Sequence, residues 1–320
     1  MGLPVTLFTS EDSGAPQLPT GGNPTQAEII AIIKACLVDG YGTKAALGWS
    51  VELEDSANAK IAFKNNIADG GSGGILVLQP DGAVAANGKI RFFGCRSFTD
   101  FDTYAQRDYY SSIQTNSYQK QWYLIGTSVS FYFVLVNSNV TTMYLSYSNE
   151  PGFFAGDIDA LLPNDAGRFM VLNSFSVSDS TSTSWSTSLS NLGYDDNQAL
   201  NLMFDADGHP TNTEDYYTRL PTVSNIVSLA DTPDITTTLA NIMVVLGSVT
   251  SQDRNGVYGK NSNLSPYLRG FLPGLVQTGY LGFKDELWPM AERDFNGVMY
   301  RAFRTRVATQ FWFNLEAWYD

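Results

Sequence analysis

The chain has 320 residues, of which 43% are hydrophobic and only 16% charged, and its 32 acidic and 19 basic residues give a formal net charge of −13. A chain of this length can bury enough apolar surface to fold without disulfides or metals, and its acidic charge, spread over both halves, argues against DNA, RNA or an anionic membrane as a partner. Soluble domains typically carry about 25% charged residues, so we expect a surface that is either covered by neighbouring subunits or solvated by Ser, Thr, Asn and Gly.

The N-terminal segment, residues 1–22, is rich in Gly and Pro and carries Glu11 and Asp12. It has no basic n-region, so we expect no signal peptide and synthesis in the cytoplasm of the host. Gly and Pro in this density are typical of an extended linker. We therefore predict an extended arm that reaches a neighbouring subunit or stays disordered.

The clearest helix signal follows this arm. Asn23 suits the N-cap, Pro24 the first helical position, and Gln26 the third position of a capping box. Apolar residues then recur at helical spacing: Ile29, Ile32, Ile33, Cys36 and Leu37. The pattern predicts an amphipathic helix over residues 24–38, and Gly40 is a suitable C-cap.

Beyond residue 40 the chain has short segments rich in Val, Phe and Tyr, separated by Gly, Asn, Asp and Pro clusters, which predict strands. The candidate strands are Lys60–Phe63, Ile75–Leu78, Lys89–Phe93, Trp122–Ile125, Ser130–Val136, Met143–Tyr147, Phe169–Val177, Ala240–Val249, Val298–Val307 and Gln310–Leu315. Residues 153–166 are less regular and suggest a short helix. We expect a mainly β fold, a sandwich or two small antiparallel sheets, with one amphipathic helix near the N-terminus.

Composition divides the chain further. Residues 179–199 are rich in Ser and Thr and suggest a loop or linker between a β-rich domain with the N-terminal helix, residues 23–178, and a second β-rich region, residues 200–320. Residues 205–235 form another polar stretch.

The two cysteines, Cys36 and Cys95, cannot build a disulfide framework, and both fall in apolar patterns, so we expect them to be buried.

The single histidine, His209, limits the catalytic options. One histidine excludes two-histidine metal sites and leaves one candidate base for a nucleophilic triad. Its setting before a proline is typical of a turn. The preceding Asp205–Gly208 stretch is similar to a calcium loop, but Met203 would occupy the first ligand position. A turn is favoured, a weak calcium site is the alternative, and no cofactor is expected.

Two further patterns bear on chemistry. The glycine-rich run Asp69–Gly74 lacks the Lys-Ser or Lys-Thr of a phosphate-binding loop, so we interpret it as a flexible hairpin tip.

Paired carboxylates could serve glycoside cleavage. The candidates are Glu52 with Glu54 or Asp55, and Asp157 with Asp159 or Asp165. The Glu52 pattern is also that of a solvated strand face, and we assign no catalytic residue.

The C-terminal region concentrates aromatic and basic side chains. The aromatic candidates are Phe311, Trp312, Phe313 and Trp318, for which we rank the protein core first, a subunit contact second and a sugar-stacking surface third. The basic candidates are Arg301, Arg304 and Arg306, which suit either a subunit contact or intrachain pairing. The intrachain partners considered are Asp285, Glu286, Glu292 and Asp294.

Several strings resemble a group of tailed-bacteriophage virion proteins. The most specific are Met1-Gly-Leu-Pro-Val-Thr-Leu-Phe-Thr-Ser10 and Cys36-Leu-Val-Asp-Gly-Tyr-Gly-Thr-Lys-Ala-Ala-Leu-Gly-Trp49. Shorter ones are Gln121–Ile125, Phe154–Ile158 and Arg269–Leu275. The resemblance implies a structural part of the particle without catalytic activity.

Together these patterns favour a non-catalytic virion component of the tail, baseplate or neck, which forms homo-oligomers and contacts other virion proteins. Three alternatives are kept. The first is a capsid decoration protein, the second is a tail-tip module that binds host-surface glycan, and the third is a polysaccharide depolymerase.

Overall fold

The computed structural model describes residues 2–81, 89–143, 145, 150–173, 189, 200–209, 213–219, 239–247, 266–278, 286–304 and 311–319. Its one α-helix, α1 (Gln26–Lys34), continues into a π-helical turn at Ala35–Asp39, and short 3₁₀ turns occupy Ser56–Asn58 and Ile67–Asp69. In this part of the chain, no helix has the length and apolar character needed to cross a membrane.

Strands make up most of the described chain. In chain order they are β1 (Leu3–Pro4), β2 (Thr6–Thr9), β3 (Ser50–Asp55), β4 (Lys60–Lys64), β5 (Ile75–Pro80), β6 (Lys89–Cys95), β7 (Ser97–Asp100), β8 (Thr103–Ala105), β9 (Ser111–Gln114), β10 (Gln119–Gly126), β11 (Ser130–Asn137), β12 (Gly152–Asp157), β13 (Asp159–Ala160), β14 (Phe169–Leu172), β15 (Leu200–Phe204), β16 (Thr213–Arg219), β17 (Leu239–Leu246), β18 (Leu268–Thr278), β19 (Arg293–Phe295), β20 (Val298–Phe303), β21 (Phe311–Asn314) and β22 (Ala317–Trp318). Every predicted strand except Met143–Tyr147 overlaps an observed one, and that segment lies mostly outside the described residues.

The strands form three large antiparallel sheets. Sheet A has the order β3-β4-β5-β6-β9, and sheet B has the order β14-β12-β11-β10-β2. Sheet C has the order β15-β16-β17-β18-β21-β20-β19, with β13 also paired to β18. Two short ribbons, β1–β22 and β7–β8, complete the set. The prediction of a mainly β fold with one helix near the N-terminus is confirmed.

Sheet B is the middle layer, because both of its faces are buried. Every residue of β11 is buried, and alternate side chains enter two different cores. Phe131 and Phe133 pack with sheet A and α1, whereas Tyr132 and Val134 pack with sheet C. This double burial explains why the β11 sequence is a nearly continuous apolar run. The sheets therefore stack in the order A, B, C.

Helix α1 fills the space between sheets A and B, as its apolar stripe predicts. Ile29, Ile32 and Ile33 are almost fully buried in the core that those two sheets share. The predicted N-cap at Asn23 is wrong. The cap is Thr25, whose side chain accepts from the Glu28 amide at 3.3 Å while the Glu28 carboxylate accepts from the Thr25 amide at 2.7 Å. This is a complete capping box, two residues later than predicted.

The N-terminal segment belongs to the fold, so the predicted extended arm is wrong for residues 3–19. Strand β2 pairs with β10 at the border of sheet B, and Phe8 is fully buried. The Trp122 indole donates to the Pro16 carbonyl at 2.9 Å, and Leu18 is also buried. The apolar residues of this segment outweigh its Gly and Pro content.

Other expectations have mixed outcomes. The short helix expected in 153–166 is wrong, because β12 and β13 occupy that segment. The polar stretch 205–235 contains β16, and the predicted linker 179–199 lies outside the described residues except for buried Leu189. The division into two β-rich regions stays a prediction. The core between sheets B and C contains residues from both regions.

Cys36 and Cys95 are buried and unbridged, as predicted. Cys36 lies in the π-helical turn that continues α1, and Cys95 ends β6. Burial raises the pKa of both thiols well above the usual range. Both cysteines therefore serve as small apolar residues in the interior.

Candidate functional site

The carboxylates of β3 lie on a solvated surface. Glu54 is exposed and pairs with Lys34 at 2.6 Å, and Glu52 is exposed and lies 3.6 Å from the Lys64 ammonium. The hydrogen bond from Lys34 lowers the pKa of Glu54. A general acid needs a raised pKa, so this environment suits the predicted solvated strand face, where Leu53 is exposed as well.

Asp157, the other candidate carboxylate, is buried at the end of β12. It accepts hydrogen bonds from the Ser72 amide at 2.8 Å, the Asn65 amide group at 3.0 Å and the Arg168 Nε at 2.8 Å. Burial raises the pKa of Asp157, and the Arg168 guanidinium opposes that shift. Both carboxylate oxygens are occupied by donors of the same chain, and the group joins sheet B to the β4–β5 loop of sheet A.

The glycine-rich run Asp69–Gly74 lies in the loop of the β4–β5 hairpin, as predicted, but Ser72 anchors it in this junction, so the expectation of a flexible tip is wrong. Ser72 supplies two of the bonds to Asp157, through its amide and its hydroxyl. A Cβ placed on Gly74 would lie 2.1 Å from the Phe169 ring. Glycine is therefore required where the loop backbone meets β14.

Asp165 is held even more closely. Its two oxygens accept from Arg269 Nε at 2.8 Å and Nη2 at 2.7 Å, and both side chains are fully buried. A third bond comes from the Gly167 amide at 2.8 Å. This bidentate pair connects the loop before β14 to β18, which ties sheet B to sheet C.

Arg304, predicted as a subunit contact, lies inside the protein, so that assignment is wrong. Its guanidinium pairs with buried Glu150 and donates to the Asn137 carbonyl at 2.9 Å. It also lies 4.9 Å from the Trp288 ring. Glu150 was not among the partners considered, because 154 residues separate it from Arg304.

The two neighbouring arginines differ from Arg304. Arg301 is half-buried and lies 3.5 Å from Glu292, which is one of the intrachain partners predicted for this group. Arg306 lies outside the described residues.

The C-terminal aromatic candidates are also interior, which confirms the core as their first-ranked role and removes them as subunit contacts. Phe311, Trp312, Phe313 and Trp318 are all buried. The Phe313 ring lies 4.9 Å from Tyr132 of sheet B, and the Trp312 ring lies 5.0 Å from Phe295 on the other side of sheet C. Strand β21 is therefore covered on both faces.

The Asp205–His209 segment forms a turn, as predicted. The Gly208 amide donates to the Asp205 carbonyl at 2.8 Å, and the His209 amide donates to Asp207 Oδ1 at 2.8 Å. His209 is exposed, while Met203 is buried in the core. Within the described ranges, no group of three or more His, Cys, Asp or Glu is placed to hold a metal ion.

A groove lies between α1 and the start of β4. It has a volume of about 260 Å³. Ala27, Ala31 and Ala59 are among the residues that line it, and the ion pair of Lys34 with Glu54 lies along its side.

A second surface feature is apolar. Leu161 is 53% exposed and Tyr267 is 70% exposed. The Leu161 amide donates to the Arg269 carbonyl at 2.9 Å, two residues beyond Tyr267, so both side chains lie where β13 pairs with β18. We call these two residues the exposed apolar pair. Sequence reasoning missed them, because each adjoins a leucine, Leu162 or Leu268, and no local pattern separates the exposed residue from its neighbour.

No protein-family model matches the chain, and a search of curated proteins found no match.

Proposed function

We propose that this chain is a non-catalytic structural component of a bacteriophage particle, in its tail, baseplate or neck. It acts through contacts with other virion proteins and with copies of itself. The resemblance of its N-terminal strings to tailed-phage virion proteins supports the phage assignment. The exposed apolar pair, Leu161 and Tyr267, is the structural observation that carries the contact role.

Physical chemistry links that observation to subunit contact. Large apolar side chains that are exposed to solvent offer area whose burial is favourable, and apolar surface of this kind often marks protein contacts. Tyrosine suits these positions because it combines an apolar ring with a polar hydroxyl. Only 16% of the residues are charged, so little charge must be desolvated when such a surface is covered.

The interior supports the same role. The buried pairs Arg269–Asp165 and Arg304–Glu150 and the bonds from the β4–β5 loop to Asp157 all join different sheets. In each of them the charged side chain is bonded to partners in this chain, and these bonds fix the relative positions of sheets A, B and C. A stack of sheets linked in this way suits a rigid building block.

Cysteine labelling tests the contact. Both native cysteines are buried, so a maleimide should react only with an introduced thiol. In free protein, Tyr267→Cys and the control Ser56→Cys, at an exposed site beside the groove, should both label. In purified particles Tyr267→Cys should be protected by at least tenfold while Ser56→Cys still labels.

Equal labelling of Tyr267→Cys in free protein and in particles would remove the exposed apolar pair from the contact surface. Protection of Ser56→Cys alone would place the contact at the groove instead.

A further inference from the structure

A small pocket opens at the border between sheets B and C, and it is distinct from the groove beside α1. Gln121 and Tyr123 on β10, Glu11 beside β2, Arg301 on β20 and Trp288 all line it. Its volume is about 30 Å³. A single water needs about 10–15 Å³, so the pocket has room for about two non-hydrogen atoms. It therefore admits one small group of a ligand, and the rest of that ligand must lie at its mouth.

The aromatic wall of the pocket is held in place by a buried arginine. The rings of Trp288 and Tyr123 lie 5.9 Å apart, and the Arg304 guanidinium lies 4.9 Å from the Trp288 ring. Arg304 is itself fixed by its pair with buried Glu150 and by the Asn137 carbonyl, to which it donates at 2.9 Å. The wall is thus ordered before a ligand arrives, which lowers the entropic cost of binding.

The polar groups of the pocket include both donors and acceptors. Gln121 Nε2 donates to Glu11 Oε1 at 3.0 Å, which leaves the amide oxygen of Gln121 to accept from a ligand. In the part of the chain that the structure describes, the carboxylate nearest to Arg301 is that of Glu292, at the long distance of 3.5 Å. Other N–H groups of Arg301 can therefore donate to a ligand. Two carboxylates close to one guanidinium leave no excess of positive charge, which suits an uncharged ligand.

The Tyr123 hydroxyl is the observation that points to a ligand. Tyr123 is buried, and among the described residues its hydroxyl has no hydrogen-bond partner. Buried hydroxyl groups are nearly always bonded to protein or water. Burial raises the pKa of Tyr123, so the hydroxyl stays protonated and can both donate and accept. A ligand that brings a hydroxyl of its own matches this residue.

We propose that the pocket binds an uncharged hexopyranose sugar through its hydroxymethyl group. That group has two non-hydrogen atoms, which fit the volume, and its hydroxyl both donates and accepts. The sugar ring lies at the mouth, where its apolar C–H groups pack against Trp288. Gln121 and Arg301 bind the ring hydroxyls. The binding site belongs to the isolated chain, so it does not depend on the proposed place of the protein in a particle.

Saturation-transfer NMR of the isolated full chain tests the proposal with methyl glucoside, methyl galactoside and methyl mannoside. At least one of them should bind, with a Kd of about 1 mM, which suits a ligand of this size. The methyl pentoside with the same ring configuration, which lacks only the hydroxymethyl group, should bind about tenfold more weakly. No binding of the three hexosides, or equal binding of the matching pentoside, would overturn the proposal.

Tyr123→Phe tests the pocket within the same titration. Its hydroxyl has no partner among the described residues, so the variant should melt at the wild-type temperature. It should nevertheless bind the hexoside about tenfold more weakly, and Trp288→Ala should lose binding. Tyr267→Ala, which removes an exposed tyrosine outside the pocket, should bind as wild type does. Wild-type affinity in a folded Tyr123→Phe protein would overturn the proposal, even if Trp288→Ala does not fold.

A protein contact at the same place is the competing outcome. Leu287 precedes Trp288 and is 70% exposed, so Leu287→Cys places a thiol beside the mouth of the pocket. A maleimide should label it equally in free protein and in purified particles, because a sugar must reach the pocket from solution. Protection of Leu287→Cys in particles would show that a protein covers the pocket and would overturn the sugar assignment.

Discussion

Sheet B packs against sheet A with one set of side chains and against sheet C with another, and the two sets differ in chemistry. Phe131 and Phe133 meet sheet A and the isoleucines of α1 in a core of apolar side chains. On the opposite face Tyr132 packs in the core with sheet C, and its hydroxyl donates to the Pro273 carbonyl at 2.9 Å. The two interfaces of one sheet therefore depend on different interactions.

The difference should govern how each interface responds to pH. Burial of hydrocarbon does not depend on protonation. The interface with sheet C also contains the buried pairs Arg304–Glu150 and Arg269–Asp165, and loss of one partner leaves an uncompensated charge. We expect the apolar core around Phe133 to be insensitive to pH and the contact that contains these two buried ion pairs to be sensitive.

The largest effect is expected for Phe133→Ala, which removes a ring from the core between sheets A and B. Truncation of a buried phenylalanine costs about 3–5 kcal/mol. The loss in the free energy of unfolding should be the same at pH 5 and pH 8 in urea titrations. Tyr118→Ala, at an exposed site, should change it by no more than about 0.5 kcal/mol. If the loss in the free energy of unfolding caused by Phe133→Ala varied strongly with pH, the apolar core between sheets A and B would not be independent of protonation.

Arg304→Met tests the interface with sheet C. It leaves Glu150 buried without its partner, so we expect a loss of about 3–5 kcal/mol at pH 8. Burial already raises the pKa of Glu150, and removal of the arginine raises it further. The loss should therefore shrink at pH 5, where the carboxyl accepts a proton more readily. Glu150→Gln added to Arg304→Met should recover part of the stability at pH 8, and a loss independent of pH would argue against this mechanism.

A smaller effect is expected for Thr25→Ala, which removes the cap of α1 on the side of sheet A. Loss of such a cap costs about 0.5–2 kcal/mol. Thr25→Ser keeps the hydroxyl and should remain close to wild type. Equal stability of the alanine and serine variants would show that the capping box does not contribute.

Tyr132→Phe, on the side of sheet C, should have the smallest effect. It removes the bond to the Pro273 carbonyl and keeps the ring, which costs about 0.5–1.5 kcal/mol. Calorimetry should show a lower melting temperature without a change in fold. An unchanged melting temperature would show that the Tyr132 hydroxyl does not stabilise the fold and that only its ring contributes.

Local patterns predicted local structure well. The isoleucines of α1 have helical spacing, and β11 is an apolar run of strand length, so helix and strand follow from periodicity. The turn at His209 follows from its neighbours. The strand at Thr6–Thr9 was missed because Gly and Pro dominate its surroundings, although Phe8 occupies a core position.

Long-range pairing was not predictable. Glu150 and Arg304 meet through the stacking of sheets B and C, and no local pattern joins them. The aromatic strand Phe311–Asn314 shows the same limit, since its sequence indicates burial on both faces without saying what covers them. The exposed apolar pair arises only where β13 pairs with β18.

The most direct test of the proposed function is the number of copies of this chain in purified phage particles, measured by quantitative mass spectrometry with isotope-labelled peptides. We predict a fixed, small number, six or twelve, which suits the symmetry of a tail, baseplate or neck. Hundreds of copies would favour capsid decoration. Absence of the chain from purified particles, with the protein present in the lysate, would contradict the proposal.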